Sequence, residues 1–213
     1  MPRVGEAGTG SKKKSLHASE RDTPRVNRLR RQFAREVASV PPEKLVSVDE
    51  SGATTAMTRM RGRGLKGERV VGTVPNGHWQ VTTILGALRA DGIAAAMTIP
   101  AATDTDVFMA FVDRVLAPAL RPGEVVLLDN LGPHKVVGVK EAIEAAGARV
   151  LYLPPYSPDL QPIEPCWSKV KERLRAIGPR TQQTLNAAIA GALDTITPAD
   201  SRGYFRKCGY AVH

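Results

Sequence analysis

Two short apolar runs constrain the fold more than any other feature of this chain. Residues 124–128 read EVVLL and residues 149–153 read RVLYL, both too short for a helix and lacking polar alternation, as expected of strands buried on two faces. Between them, residues 135–146 have helical character and stop at Gly147. A strand, helix, strand order closes through a right-handed parallel crossover, with helices covering the sheet. The earlier half has another rhythm. Residues 44–50, 68–74 and 80–88 are rich in β-branched residues, with a hairpin turn expected at Pro75, Asn76 and Gly77. Residues 104–116 place Val107, Phe108, Phe111, Val112 and Val115 at helical spacing, ahead of Pro118, Pro122 and Gly123. The chain therefore predicts the α/β class, with a mixed five-stranded sheet flanked by helices.

After the last strand, PPYSPDLQP is a turn-rich loop leading into a helix whose Pro162 and Pro165 fall in the first turn, where a missing N–H costs little. Ile163, Trp167, Val170, Leu174 and Ile177 form a core stripe on that helix, and Glu164, Ser168, Lys171 and Arg175 lie on the adjacent face. Residues 181–197 continue as an Ala-rich helix, and Thr197, Pro198 and Asp200 begin another. The division that follows is a basic N-terminal arm over residues 1–38, an α/β domain over 39–178 and a C-terminal helical appendage over 179–213.

Charge is distributed unevenly. The chain of 213 residues carries a net charge of +9, and residues 1–35 hold ten Lys or Arg against three acids. This arm is expected to be flexible, with a helix over 26–37 presenting Leu29, Phe33 and Val37 on one face. Arg59, Arg61, Arg63 and Lys66 cluster among glycines, as suits a mobile hairpin that touches a polyanion. No stretch of about 18 uncharged apolar residues exists, which argues against a membrane partner, and the N-terminus has no apolar signal region. Cys166 and Cys208 lack a CxxC partner, so neither a disulfide framework nor a zinc ribbon is supported, and a cytoplasmic location is expected.

Three acids have positions that matter. Asp49 and Asp129 each follow an apolar strand, and Glu164 opens the helix after the Pro-rich loop. A single strand-terminal Asp is commonly a turn residue or a cap. If the first and fourth strands are neighbours, however, both aspartates face one crevice at the carboxyl end of the sheet. Clustered carboxylates repel unless a cation compensates them, and all-oxygen ligation suits Mg²⁺ or Mn²⁺. Two such ions per site promote in-line attack on a phosphodiester, and the surrounding cations then hold the phosphate backbone. Glu50 points to the opposite face from Asp49 and ranks below it as a ligand. His134 and Lys135 lie at a helix start, where His134 either has a structural role or contacts DNA. Residues 62–67 lack the order of a phosphate-binding loop, and Ser168 with Lys171 matches SxxK by chance.

The segments VDESG around Asp49, LLDNLGPHK around Asp129 and LPPYSPDLQPIEPCWSKVKERLR around Glu164, with 34 residues between Asp129 and Glu164, resemble the DDE transposases of the insertion-sequence 630 and Tc1/mariner superfamily. The resemblance runs from about Lys12 to Tyr210. It implies an RNase H-like fold and a triad of Asp49, Asp129 and Glu164, both catalytic and metal-binding. It also implies Mg²⁺-dependent cleavage at terminal inverted repeats, strand transfer into target DNA at TA, and a homodimer on DNA in a cytoplasmic, nucleoid-associated protein. Expected DNA contacts are Arg59, Arg61, Arg63, Lys66, His134, Lys135 and Lys171. Gln161 stands where many relatives have Asn, with a small geometric effect expected. No helix-turn-helix portion precedes the first strand, and an upstream-encoded one is an expected partner. A general DNA nuclease of the same fold and an inactive DNA-binding remnant are the competing readings.

Overall fold

The computed structural model describes residues 17–212. Five strands, β1 (Leu45–Thr54), β2 (Val81–Arg89), β3 (Gly92–Ile99), β4 (Val125–Leu128) and β5 (Arg149–Tyr152), form one sheet in the order β3-β2-β1-β4-β5. β1, β2 and β3 pair antiparallel, while β1 with β4 and β4 with β5 pair parallel. This is the expected mixed sheet, and its first and fourth strands are neighbours.

One strand assignment is corrected. Residues 68–74 are not a strand: β1 pairs along its length with β2, and its other edge is taken by β4 at Leu45, Val46 and Ser47, so the run has no edge to join. It lies instead in an irregular exposed stretch, residues 59–80, together with the expected turn at Pro75, Asn76 and Gly77. The third strand is Gly92–Ile99, reached by a two-residue turn at Ala90 and Asp91, with Gly92 at φ 135°. The positive φ at Gly92, directly after the turn, is a conformation that glycine adopts without strain. The Ala-rich run GIAAAMTI has weak strand propensity and concealed β3. The irregular stretch hangs from a narrow neck, where the Thr55 N–H donates to the Gln80 carbonyl at 3.1 Å and the Gln80 N–H to Thr55 Oγ1 at 3.0 Å.

Alternation along β1 separates two cores. Leu45 belongs to the face shared with Leu127, Leu151, Trp167, Leu174 and Phe205, which is covered by α1 (Pro24–Ala38), α5 (Ile163–Ile177), α6 (Gln182–Leu193) and α7 (Pro198–Lys207). Val46 and Val48 face Phe108, Phe111, Val126, Leu128 and Ile143 on the other side. That side is covered by α2 (Thr105–Phe111), a π-helical stretch (Val112–Leu116), α3 (Ala117–Ala119) and α4 (Val139–Ala145). The expected helix at 104–116 is thus α2 and its wider continuation, capped by Asp104, which accepts from the Val107 N–H. The helix expected from residue 135 begins later, at Val139. Pro133–Lys135 form a 3₁₀ turn, and Gly138 at φ 110° precedes α4.

The helix expected over 26–37 is α1, capped by Thr23 and burying Val26 and Phe33. It packs on the sheet-covering core rather than projecting as a flexible arm. The more distal basic residues, Arg3 and Lys12 to Lys14, lie outside the described residues. On α5 the stripe is Ile163, Cys166, Trp167, Val170 and Leu174, whereas Ile177 is exposed because the helix ends there at Gly178, which is left-handed at φ 63°. Cys166 and Cys208 are free thiols. Among the described residues no helix is long and apolar enough to cross a membrane.

Candidate active site

The pairing of β1 with β4 places two acids side by side. Ser47 lies opposite Leu127 in that parallel pair, so Asp49 and Asp129 fall two positions further at the same level. Glu164 comes from the first turn of α5. All three line one open cleft of about 410 Å³, whose far wall is the loop over residues 153–158. A larger cavity of about 560 Å³ lies under α1 against Phe33, Val37 and Tyr210, and no carboxylate lines it. Size does not mark the chemistry here.

Asp49 is held by neighbours distant in sequence. The Trp167 indole Nε1 donates to Asp49 Oδ2 at 3.1 Å. Gln161 Nε2 donates to the Val48 carbonyl at 2.8 Å, and the Ile163 N–H donates to Ser47 Oγ at 3.3 Å, tying the start of α5 to β1. The indole reaches Asp49 because its partner on β2 is Gly86. A Cβ at Gly86 would lie 2.6 Å from Trp167 Cη2 and 3.1 Å from Cζ2. Burial, and then the charge of Glu164, push the Asp49 carboxyl up to about 7, against the opposing hydrogen bonds from the Glu50 amide and Trp167.

Asp129 has the opposite environment. Burial works against its ionised form but is outweighed by His134, whose Nδ1 lies 2.5 Å from Asp129 Oδ1, by the Leu131 amide at 3.0 Å and by the charge of Lys135, so the carboxyl stays below its usual range. The other ring nitrogen of His134 meets the Glu50 carboxylate at 3.1 Å. Burial alone would lower the imidazole's affinity for a proton, but the two carboxylates push it up to about 9. The ring is fully buried and packs at 4.2 Å between centroids on Phe108. With both nitrogens engaged, it presents nothing to DNA. Glu50 therefore supports Asp129 from behind the sheet, on the face opposite Asp49.

None of the remaining expected DNA contacts lines the cleft. Arg59, Arg61, Arg63 and Lys66 are exposed in the irregular stretch beside exposed Met60, Leu65, Val71 and Trp79. Lys135 is exposed, with its ammonium 6.0 Å from the Tyr152 ring centroid. Lys171 lies half-buried on α5, two turns beyond Glu164. None of these six cations has an ion-pair partner among the described residues. Glu50, Gly86, Gln161 and the indole donor of Trp167 are the supporting groups that sequence reasoning did not assign; only the Gly86 position, a glycine amid buried β-formers, carried a local signal.

A divalent cation fits this donor set. Asp49 is half-buried beside a second carboxylate, and among the described residues no side-chain cation pairs with it; hard oxygen donors suit Mg²⁺ or Mn²⁺. Among the described residues no three His, Cys, Asp or Glu side chains stand together closely enough to hold an ion by themselves. An ion that keeps its waters and shares substrate phosphates needs no such cluster.

A family model described as DDE superfamily endonuclease matches residues 44–186. Among solved structures, the Mos1 transposase paired-end complex with left transposon end superposes with a TM-score of 0.77 at 17% identity, covering 95% of this chain and 64% of that one. The mariner Mos1 paired-end complex with Mg gives 0.69 at 15%, again covering 95% and 64%. The Mos1 catalytic domain bound to raltegravir with Mn gives 0.64 at 14%, covering 92% and 90%. The chain thus spans less than two thirds of the Mos1 chains in the paired-end complexes. No curated protein sequence matches it. The likeness to these structures establishes an RNase H-like fold, and the match from β1 into α6 establishes the lineage: this chain belongs to the DDE superfamily endonucleases.

Proposed function

We propose that the chain is the catalytic portion of a transposase, cleaving DNA strands at terminal inverted repeats and joining them to target DNA at TA. The observation that carries this reading is the cleft itself, lined by Asp49 on β1, Asp129 just past the adjacent parallel β4, and Glu164 on α5. Asp49, Asp129 and Glu164 would hold two Mg²⁺ or Mn²⁺ ions. When bound, such ions activate the attacking hydroxyl and stabilise the leaving oxygen of a phosphodiester.

The chain's own residues do the positioning. Trp167 and Gln161 fix Asp49 and its strand, and His134 with Glu50 fixes Asp129. The contrast between the two environments leaves Asp129 ionised in advance, whereas Asp49 holds its proton more tightly and a cation bound there would favour its ionised form. The exposed arginines of residues 59–69 and Lys171 supply phosphate contacts that draw DNA to an otherwise acidic cleft. Joining two element ends calls for a second copy of the chain, and end recognition for a sequence-reading portion such as a helix-turn-helix.

Asp129→Asn tests this. It should abolish Mg²⁺-dependent nicking of inverted-repeat DNA while salt-sensitive binding persists. Retained nicking overturns the assignment of the acids, and equal cutting of unrelated DNA by the wild type identifies a general nuclease instead.

A further inference from the structure

Helix α1 is fastened to the wall of the cleft. Its Arg30 extends a fork to Asp159, with Nη1 donating to Oδ1 at 3.1 Å and Nη2 to Oδ2 at 2.7 Å, and Nη1 also donates to Ser157 Oγ at 2.7 Å. Arg21, in the turn ahead of α1, adds a bond to Asp159 Oδ2 at 3.1 Å. One turn further, Phe33 is buried in the same core as Leu153, with Leu160 packed against it. From the other side, the Tyr210 hydroxyl donates to the Leu160 carbonyl at 2.6 Å.

The gripped segment is the one that matters for the cleft. Residues 153–158 form its wall and lead, through Asp159 and Leu160, into Gln161, which bonds beside Asp49, and then Glu164. Beyond the single 3₁₀ turn Pro158–Leu160 the segment has no regular structure of its own. Tyr156 stands at φ 55°, a left-handed conformation for a residue with a side chain, which its surroundings must impose. The Arg30 side chain is only 19% exposed, with Nη1 and Nη2 both spent on Asp159 and Ser157.

We infer that Arg30 and Asp159 form a clasp by which α1 sets the position of the cleft wall, making Arg30 a positioning residue and not a DNA contact. The inference rests on the reading of the cleft proposed above. Displacement of α1 by anything attached ahead of it would shift the wall carrying Gln161 and Glu164.

Arg30→Lys separates the alternatives, because lysine preserves the charge a phosphate needs but not the bidentate fork. With the full chain and an inverted-repeat duplex, the clasp predicts an at least tenfold lower kcat for Mg²⁺-dependent nicking in Arg30→Lys and in Asp159→Asn. DNA affinity should stay within twofold and melting temperature within a few degrees. Amide hydrogen exchange over residues 153–162 should accelerate, and Arg30→Asp combined with Asp159→Arg should recover most of the rate. A DNA-contact role predicts a silent Asp159→Asn and weaker DNA binding on loss of the arginine charge; that pattern, or unchanged exchange in the loop, overturns the clasp. If the wild type does not nick DNA, the reading of the cleft fails, and the exchange comparison still decides the clasp.

Discussion

Replacing Gly86 with alanine should disable the cleft without touching an acid. The added Cβ would sit 2.6 Å from Trp167 Cη2, 3.1 Å from Cζ2 and 3.5 Å from Ile163 Cδ1, whereas carbon atoms rest at about 3.5 to 4.0 Å. The indole must therefore retreat by about 1 Å, and β2, buried on both faces, has little room to yield in its place. Overpacking of this kind costs about 1–3 kcal/mol. For a chain of this size that lowers Tm by roughly 3–10 °C. The same movement pulls Nε1 from Asp49 Oδ2, now at 3.1 Å, and a 1 Å displacement of a positioned group costs on the order of 100-fold in rate. Thermal melts and single-turnover nicking in Mg²⁺ measure the two effects separately. A second change, Trp167→Phe, removes the clashing outer ring but not the need for an indole donor. The double variant should regain stability while nicking stays low. An unaltered melt and rate for Gly86→Ala, or full nicking by the double variant, would refute the role given to this glycine and indole.

Two further outcomes follow from the site. The Asp49 carboxyl, at 3.8 in an unfolded chain, is pushed up to about 7 on folding, so between about pH 4 and pH 7 the unfolded chain ionises first. The metal-free protein should lose stability across that window relative to Asp49→Asn, by up to about 1.4 kcal/mol per pH unit, and level off above it. Saturating Mg²⁺ should reverse the trend; urea unfolding at a series of pH values checks both, and a flat difference contradicts the charge balance described. Gln161→Asn shortens the reach to the Val48 carbonyl from its present 2.8 Å. Leaving that buried acceptor unpaired costs about 1–3 kcal/mol, so the variant should melt earlier and require more Mg²⁺ for half-maximal nicking, against the small effect the sequence comparison implies.

Legibility followed the reach of each interaction. β4, β5 and the stripe of α5 could be read because each rests on a local period or an unbroken apolar run. β3 was hidden because alanine signals neither strand nor turn, and the valines at 70, 71 and 74 imitated a strand for which no sheet edge was free. The position of Asp129 just past β4 was visible, whereas Asp49, expected at a strand end, lies in the middle of β1 because the strand runs on to Thr54 along β2; their shared level follows from one pairing, β1 with β4. What holds them was not visible. The bonds of Asp49 to Trp167 and of His134 to Glu50 join residues 118 and 84 positions apart, and no periodicity records contacts that only the finished fold creates. Likewise Arg21, ahead of α1, and Arg30, on it, looked like free charge until Asp159 came to meet both.

The neck at Thr55 and Gln80 gives the irregular stretch an independent fate. Because two backbone donors close β1 and β2 onto each other there, the sheet registers no difference between a long excursion and a short one beyond a slowly growing loop entropy. Met57 still packs on the core and its carbonyl accepts from Arg180, so residues 59–79 are in effect a cassette: descendants of this chain can lengthen it, strip its arginines or exchange its exposed Trp79 while the strands beneath inherit their register unchanged. Diversification can then proceed on this appendage while the chassis that carries the acids stays still.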